Sequence, residues 1–461
     1  MKRKQGANGK GKPVGYAKRL ETGHYKGICG RAEDTVSSEK MRKEAKRLAK
    51  MLRAAPIVVV HTGAGLSTAA GIPDFRGKDG VWTREEQGHP LPDYEKCWDN
   101  AMPTLGHMAL VGLVKEGVVT AIISQNVDGL HLRSGIPREK LCELHGNLFM
   151  EICSGCQREV RRTADVGGVG FKPTGRRCPH CGEGLVDGLL DWEDELRDYE
   201  KAVDLSERCR EPHGVSLCLG TSLQIAPSKD LPTKADKMAI VNLQKTAKDA
   251  RSSLVIHAKI DAVMHCVMKE LGIPIPVFRR IEVLVISHTC CPSPGKNKRW
   301  RWTLSVGDAA DGARCGYVES MGVSFPGAKL SDALVNDPPF RVTKTTTSRR
   351  SPEGRGCEGG RLTGGSNIDG RGSGGGCDTI AKTTLAKPLE AEQDDERDRL
   401  RVGCGTVGSE CITALITLTF VAAPGHAAPQ PRTVKYEMDL TSKEGSQELE
   451  VFLGEVDYND A

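Results

Sequence analysis

Four consecutive β-branched residues, Ile57-Val58-Val59-Val60, end just before Gly63-Ala64-Gly65, and this junction constrains the fold more than any other feature of the chain. A short, unbroken run of this kind suits a strand buried on both faces of a parallel sheet. Glycines placed directly after such a strand let the backbone turn tightly and approach a pyrophosphate, with the N-terminus of a following helix supplying positive potential. A glycine pair alone recurs in many loops. The weight comes from the string that follows, Ala69-Ala70-Gly71-Ile72-Pro73-Asp74-Phe75-Arg76-Gly77, in which glycines and a proline enclose a polar cluster.

The same rhythm continues along the chain. Residues 38–53 place Met41, Ala45, Leu48 and Leu52 on one helical face, and Pro56 ends that helix before the first apolar run. Comparable runs recur at Val119–Ser124, Val215–Leu219, Ala239–Leu243 and Leu254–His257. Strands alternating with helical stretches predict an α/β fold, a doubly wound parallel sheet of Rossmann-like type. The stretch 150–190 interrupts it with paired cysteines and glycines and reads as a small inserted module. Beyond Pro276 the pattern changes to Arg280–Ser287, Arg299–Val306, Tyr317–Phe325, Phe340–Thr345 and Ile412–Val421, several with polar–apolar alternation, which predicts a β-rich extension, a sandwich in form. The expected divisions are a basic N-terminal arm (1–34), a catalytic unit (35–276), a β-rich extension (277–345), a disordered low-complexity insertion (346–400) and a β-rich C-terminal segment (401–461). With aromatics at only 4% of 461 residues, part of the chain is expected not to pack.

The chain carries 17 cysteines and no N-terminal apolar stretch of the secretory kind, so closely spaced pairs point to metal rather than to disulfides. Cys153-x-x-Cys156 and Cys178-x-x-Cys181, with 21 residues between the pairs, have the spacing of a four-cysteine zinc ribbon. Four thiolates leave no open coordination position, so one structural zinc per chain is expected. His180, inside the second knuckle, is the competing ligand. The most apolar segment, Ile412 to Ala423, is too short for a membrane span, and the chain reads as soluble and intracellular. Lys2, Arg3, Lys4, Lys10, Lys12, Lys18 and Arg19 crowd the N-terminal end. Such an arm suits nucleosome or DNA contact and equally suits plain solvation.

Five segments together give the chain a family resemblance: GAGLSTAAGIPDFRG (63–77), SQNVDGLH (124–131), ELHGN (143–147), LGTSLQI (219–225) and VNLQ (241–244). In this order they resemble the signatures of the sirtuins, NAD-dependent protein-lysine deacylases. Gly80-Val81-Trp82-Thr83, Leu190-Asp191-Trp192-Glu193-Asp194 and the initial Gly15-Tyr16-Ala17-Lys18-Arg19-Leu20 are similar to the nuclear branch that contains sirtuins 6 and 7. The resemblance implies NAD contacts from Gly63, Ala64, Gly65, Asp74, Phe75, Arg76 and Trp82, from Gln125, Asn126 and Asp128, and from Gly220, Thr221 and Ser222. It further implies that Asn242 and Gln244 meet the adenosine end and that Ile260 lies against the adenine. Ala258, where relatives usually carry glycine, departs from the pattern, as does Pro212-His213-Gly214.

The implied reaction consumes NAD as co-substrate. The acyl-lysine carbonyl oxygen attacks the anomeric carbon as nicotinamide leaves, and a base then deprotonates a ribose hydroxyl. Of the 12 histidines, His145 in ELHGN is the candidate base, with Asn126 the second candidate catalytic residue. His61 and His131 read as packing residues near the site and His257 as a strand-end residue. The resemblance implies release of nicotinamide and O-acyl-ADP-ribose, acylated protein lysines (histone tails among them) as partners, and a nuclear location. Sirtuins that prefer acidic acyl groups carry a Tyr-x-x-Arg pattern that is absent between Thr83 and Met102, where Tyr94 is followed by Glu95, Lys96 and Cys97. Acetyl or longer neutral acyl groups are therefore expected. Two alternatives share the same NAD site: mono-ADP-ribosyl transfer, and an NAD-sensing chromatin scaffold without turnover.

Overall fold

The computed structural model describes residues 16–22, 24, 26–90, 95–292, 299–308, 315, 317–326, 330–336, 340–347, 411–420, 426, 428–439 and 444–459. The lysines and arginine at 2–12, Tyr94 and residues 348–400 of the expected insertion 346–400 lie outside the described residues, while Thr346 and Thr347 belong to the strand Phe340–Thr347.

A six-stranded, all-parallel sheet forms the catalytic unit. Its order across the sheet is Leu254–Ile256, Lys237–Val241, Val215–Leu219, Val58–Thr62, Ala121–Ser124 and Leu141–Glu143. Strand order reverses between Val58–Thr62 and Val215–Leu219, so the loops leaving these two neighbours diverge and open a crevice, the usual ligand position in doubly wound sheets. Both central strands are buried along their whole length, which explains their uninterrupted apolar character. One face is covered by the helices Ser38–Ala54, Leu105–Lys115 and Ile260–Leu271, around a core that includes Leu48, Leu52, Leu110, Leu113 and Val263. Helix Tyr199–Arg208 packs on the other face against Val59, Ile123 and Cys142.

Each sequence-predicted strand of this sheet is present within about two residues at either end. The edge strand Leu141–Glu143 was hidden because it has only three residues and no apolar run of its own. A second difference follows Gly63-Ala64-Gly65. In place of the expected helix there are two short 3₁₀ turns, Ala64–Leu66 and Thr68–Ala70, ended by Gly71 at φ +80°. The closely spaced glycines and the proline at 73 keep this stretch from propagating a regular helix.

The cysteine-rich insertion is a four-stranded antiparallel sheet of Glu159–Arg161, Gly146–Cys153, Gly184–Leu189 and Pro173–Arg177. The C-terminal part forms two further antiparallel sheets. One orders Phe340–Thr347, Arg299–Asp308, Phe278–Pro292 and Glu444–Val456; the other orders Ala333–Val335, Val318–Ser324, Cys411–Phe420 and Arg432–Asp439. They share one apolar core containing Trp302, Leu304, Tyr317, Met321, Ile416 and Leu418. The segments 277–345 and 401–461, divided in the sequence reading, form one sandwich: each sheet combines strands from both halves, and each half alone would leave its apolar faces bare. Residues 16–34 also differ from the expected arm. Tyr16 is buried, and the segment runs across the catalytic unit through Asp34 N–H to Leu243 O (2.9 Å) and the Glu33–Gln244 bridge. Among the described residues no helix is long and apolar enough to cross a membrane.

Candidate active site and zinc centre

Two backbones meet at the crevice. The N–H of Gly63 donates to Leu219 O (3.1 Å) and that of Gly65 to Gly220 O (2.9 Å). A Cβ on Gly63 would lie 2.7 Å from Gly220 O, and one on Gly65 would lie 2.9 Å from Gly220 Cα. Gly220 itself has φ +61°, and a Cβ there would sit 2.5 Å from Leu66 N. Only glycine lets these loops touch, and together they make a low cradle of backbone suited to a close-approaching phosphate group.

Above this cradle opens a cavity of about 690 Å³. Gly63, Ala64, Gly65, Asp74, Phe75, Arg76, Trp82, Gln125, Asn126, His145, Gly220, Thr221, Ser222, Asn242, Gln244 and Ile260 all line it. Sixteen positions spread over two hundred residues of chain thus converge on one space. Asp128 is the exception. It lies beneath the wall, with Oδ2 accepting from Ser67 Oγ (2.6 Å) and Oδ1 from Leu130 N–H (2.9 Å). Burial pushes its carboxyl above the usual range, while those two donors pull it down. Asp128 therefore acts on the site through Ser67, which also accepts from Asn126 Nδ2 at 3.3 Å. That contact fixes the amide of Asn126 and leaves its buried Oδ1 with no hydrogen-bond donor among the described residues. An orphaned buried acceptor is costly unless something outside the protein donates to it, and a ribose hydroxyl is such a donor.

His145 sits in the turn between Leu141–Glu143 and Gly146–Cys153. Its Nδ1 lies 3.0 Å from Gln125 O; a carbonyl only accepts, so Nδ1 carries the hydrogen and Nε2 is the nitrogen with a lone pair to accept a proton. Burial lowers the imidazole pKa, opposed by the Gln125 carbonyl and aided by the positive Arg76. The turn itself needs glycine, since Gly146 has φ +82° and a Cβ would lie 1.9 Å from Gly188 O. By contrast, His61 and His131 are buried against Ser216 Oγ (3.2 Å) and Thr62 Oγ1 (2.9 Å), and burial holds them at about 3 and about 4. They are neutral packing groups under the site. His257, at the sheet end, donates from Nδ1–H to Asn242 O (2.8 Å).

Arg76 is held by Lys26 O (2.7 Å) and lies 4.6 Å from the Trp82 ring, which stacks in turn on Trp192 at 5.6 Å. Asp74 accepts from Gly77 N–H (2.9 Å), and burial raises its carboxyl pKa. Gln125 Nε2 donates to Thr221 Oγ1 (3.2 Å), tying the two loops together. Gln244, a lining residue, also donates from Nε2 to Arg31 O (2.6 Å) and Arg76 O (3.2 Å), binding the N-terminal segment to the site. Tyr16, Leu20, Ile72, Asp191, Trp192 and Leu196 also line the cavity and received no role from sequence. The initial Tyr16 motif and Leu190-Asp191-Trp192 were visible as motifs, but their distance along the chain from the glycine loops concealed that they share this space.

In the inserted module, the Sγ atoms of Cys153, Cys156, Cys178 and Cys181 all lie within 4.8 Å of one another. The Cys153–Cys181 and Cys156–Cys178 separations are 3.3 and 3.8 Å. A tetrahedral shell with Zn–S bonds of about 2.3 Å needs sulfurs about 3.8 Å apart, so the donor set fits zinc. His180 is exposed and outside the cluster. The cavity and the zinc centre are separate, in keeping with a structural metal.

The geometry defines a dinucleotide-binding α/β protein with a histidine at the cavity wall and a zinc-ribbon insertion. Comparison with known proteins gives the family. Residues 63–102 and 92–227 match the Sir2 family. The chain is 42% identical over 341 residues to the NAD-dependent protein deacetylase SRT1 of Arabidopsis thaliana, covering 72% of each protein. It is 42% identical to the NAD-dependent protein deacetylase Sirt6 of Drosophila melanogaster, over 57% of this chain and 86% of that protein. To human sirtuin-7, an NAD-dependent protein deacetylase, it is 38% identical over 57% of this chain and 68% of that protein. The chain belongs to the Sir2, or sirtuin, family.

Two outcomes test this geometry. Cys153→Ser should lose bound zinc, measured by metal analysis, and lose soluble folded protein with it, because a four-thiolate site contributes folding free energy directly; a metal-free, soluble and fully active variant would contradict a structural zinc. Gly220→Ala should lower stability by roughly 1–3 kcal/mol in denaturant melts and weaken NAD binding, since it imposes both backbone strain and a collision with the first glycine loop.

Proposed function

We propose that this chain is an NAD-dependent protein-lysine deacetylase that releases nicotinamide and O-acyl-ADP-ribose. The observation that carries the reading is the pairing of a neutral imidazole, oriented by Gln125 O, with the unpartnered Oδ1 of Asn126 in one cavity above a glycine cradle. A site that only senses a dinucleotide has no need of a positioned base. NAD, when bound, supplies the electrophilic ribosyl centre that receives the acyl oxygen. Asn126 accepts a hydrogen bond from a sugar hydroxyl or an ordered water. His145 Nε2 takes the hydroxyl proton, its Nδ1–H staying on the Gln125 carbonyl throughout, so the ring keeps one tautomer and one orientation. Arg76, Trp82 and Phe75 close the side of the cavity against water.

The family relatives named as deacetylases support the reaction. The finer reading is histone tails as substrates, in the nucleus, with the N-terminal lysines and Arg3 touching nucleosomal DNA. Its support is the resemblance to the Sirt6 and sirtuin-7 relatives and the clustered positive charge ahead of Tyr16. Incubating the protein with NAD and acetylated histone peptides and identifying the products by mass spectrometry tests the proposal. O-acetyl-ADP-ribose supports it, ADP-ribosylated protein would replace it with mono-ADP-ribosyl transfer, and neither product would leave a binding scaffold.

His145→Ala should cut deacetylation by about 10²–10⁴-fold, with the fold and most NAD affinity retained, as read by product formation and calorimetric titration. Because the base must be neutral and its pKa lies below the ordinary histidine value of about 6.5, activity should hold down through neutrality and fall only on the acid side of that value, in a pH profile of kcat/KM. Neutralising Lys2, Arg3, Lys4, Lys10 and Lys12 together should weaken nucleosome binding most at low salt while leaving activity on a short peptide unchanged; salt-insensitive, undiminished binding would make the arm a solvated tail.

A further inference from the structure

Two of the polar contacts that join the C-terminal sandwich to the catalytic unit meet on one stretch, Trp98–Thr104. Arg280, at the start of the sandwich strand Phe278–Pro292, is buried, yet its Nη2 donates to Asp99 O at 2.9 Å. Its Nε donates to Glu282 Oε1 (2.9 Å), and the guanidinium lies 5.5 Å from the Tyr317 ring. Tyr458, just past the last strand, donates its hydroxyl to Pro103 O. Asn459 makes two bonds with Ile275: its Oδ1 accepts from Ile275 N–H (3.0 Å) and its Nδ2 donates to Ile275 O (2.9 Å). From within the catalytic unit, Arg133 Nη1 holds the same stretch at Ala101 O (2.8 Å) and Trp98 O (3.3 Å). A buried guanidinium, Arg280, beside a half-buried one, Arg133, is expensive to desolvate, and a loosely tethered appendage would have no reason to retain Arg280 there.

That segment backs directly onto the cavity. Thr104, next to Pro103, donates from Oγ1 to Leu66 O (3.2 Å), inside the first glycine loop. Ala101 packs with Ala70, Ile72 and Leu130, and Ile72 lines the cavity. Gly106 N–H donates to Asp261 Oδ1 (2.8 Å), another lining residue. We propose that the sandwich braces the dinucleotide loop, with Arg280 and Tyr458 as positioning residues that fix the Asp99 and Pro103 carbonyls and so hold Leu66 and Ile72 in their binding positions. The brace rests on the NAD-binding part of the proposed function and not on which group is transferred.

The test uses the full chain with Tyr458→Phe, Arg280→Gln, Arg280→Lys and, as a control on the outer face of the sandwich, Thr303→Ala. Calorimetric NAD affinity, amide hydrogen exchange at residues 63–72 and the KM for NAD against that for acetylated peptide are measured, with circular dichroism and melting to confirm folding. Tyr458→Phe and Arg280→Gln should each weaken NAD binding by about three- to tenfold, the range expected for one buried hydrogen bond. Exchange at 63–72 should quicken, and the KM for NAD should rise more than that for peptide. Arg280→Lys, which keeps a cationic donor, should recover most of the affinity, and Thr303→Ala should change nothing. If Arg280→Gln fails to fold, Tyr458→Phe, which removes one oxygen from a retained ring, carries the test. Folded variants with unchanged NAD affinity and unchanged exchange at 63–72 would overturn the brace. Equal loss for NAD and peptide in proportion to unfolded protein would also overturn it. Wild-type protein that binds NAD without deacetylating would sink the proposed reaction while leaving the brace to stand on the binding data.

Discussion

Everything at the cavity depends on two backbones being allowed to touch. The strands Val58–Thr62 and Val215–Leu219 are neighbours in register, and the chain leaves both at the same edge of the sheet. Their loops then approach until Gly65 N–H reaches Gly220 O, with no room for a side chain on either loop at the contact. This close approach puts Gln125 within reach of Thr221 and places His145 against the Gln125 carbonyl. A methyl group at the crossing would separate the loops and open the cradle beneath the cavity.

Burial sorts the histidines into tasks. His61, His107 and His131 lie in the interior, where desolvation keeps them uncharged, and two of them are tied to Ser216 and Thr62. His145 has the same residue chemistry but stands at the cavity wall with one nitrogen anchored and the other available. Position along the chain says nothing of this difference; the motif around His145 did, through its resemblance to a family, and the hydrogen bond to Gln125 gives the physical reason.

Much of the catalytic unit was legible because its signals are local. Val58–Thr62 and Val215–Leu219 announce themselves as β-branched or apolar runs, and the two CxxC pairs carry their ligand spacing in the sequence. What stayed hidden is long-range. Nothing local to Tyr16 or Trp192 indicates that they line the same cavity, and the amphipathic Glu444–Val456, with its frequent glutamates, reads poorly as a strand until its partner Phe278–Pro292 is known. The sandwich was visible as a set of strands but not in its pairing, for the same reason: sheet order is decided by pairings over more than a hundred and fifty residues, which no periodicity reports.

That pairing has a consequence for how the protein is made. Phe278–Pro292 is an interior strand only because the much later Glu444–Val456 covers its second edge. During synthesis the fifteen-residue Phe278–Pro292 strand must therefore wait, one side of its ladder unpaired, until the ribosome has delivered the far end of the chain. A nascent or prematurely terminated polypeptide exposes that edge, carrying Ile281, Val283 and Val285 in alternation, to any neighbouring strand in the cell. The same covering strand leads straight into Tyr458, so a chain that has not yet hidden its sticky edge is also one whose nucleotide loop has not been fastened.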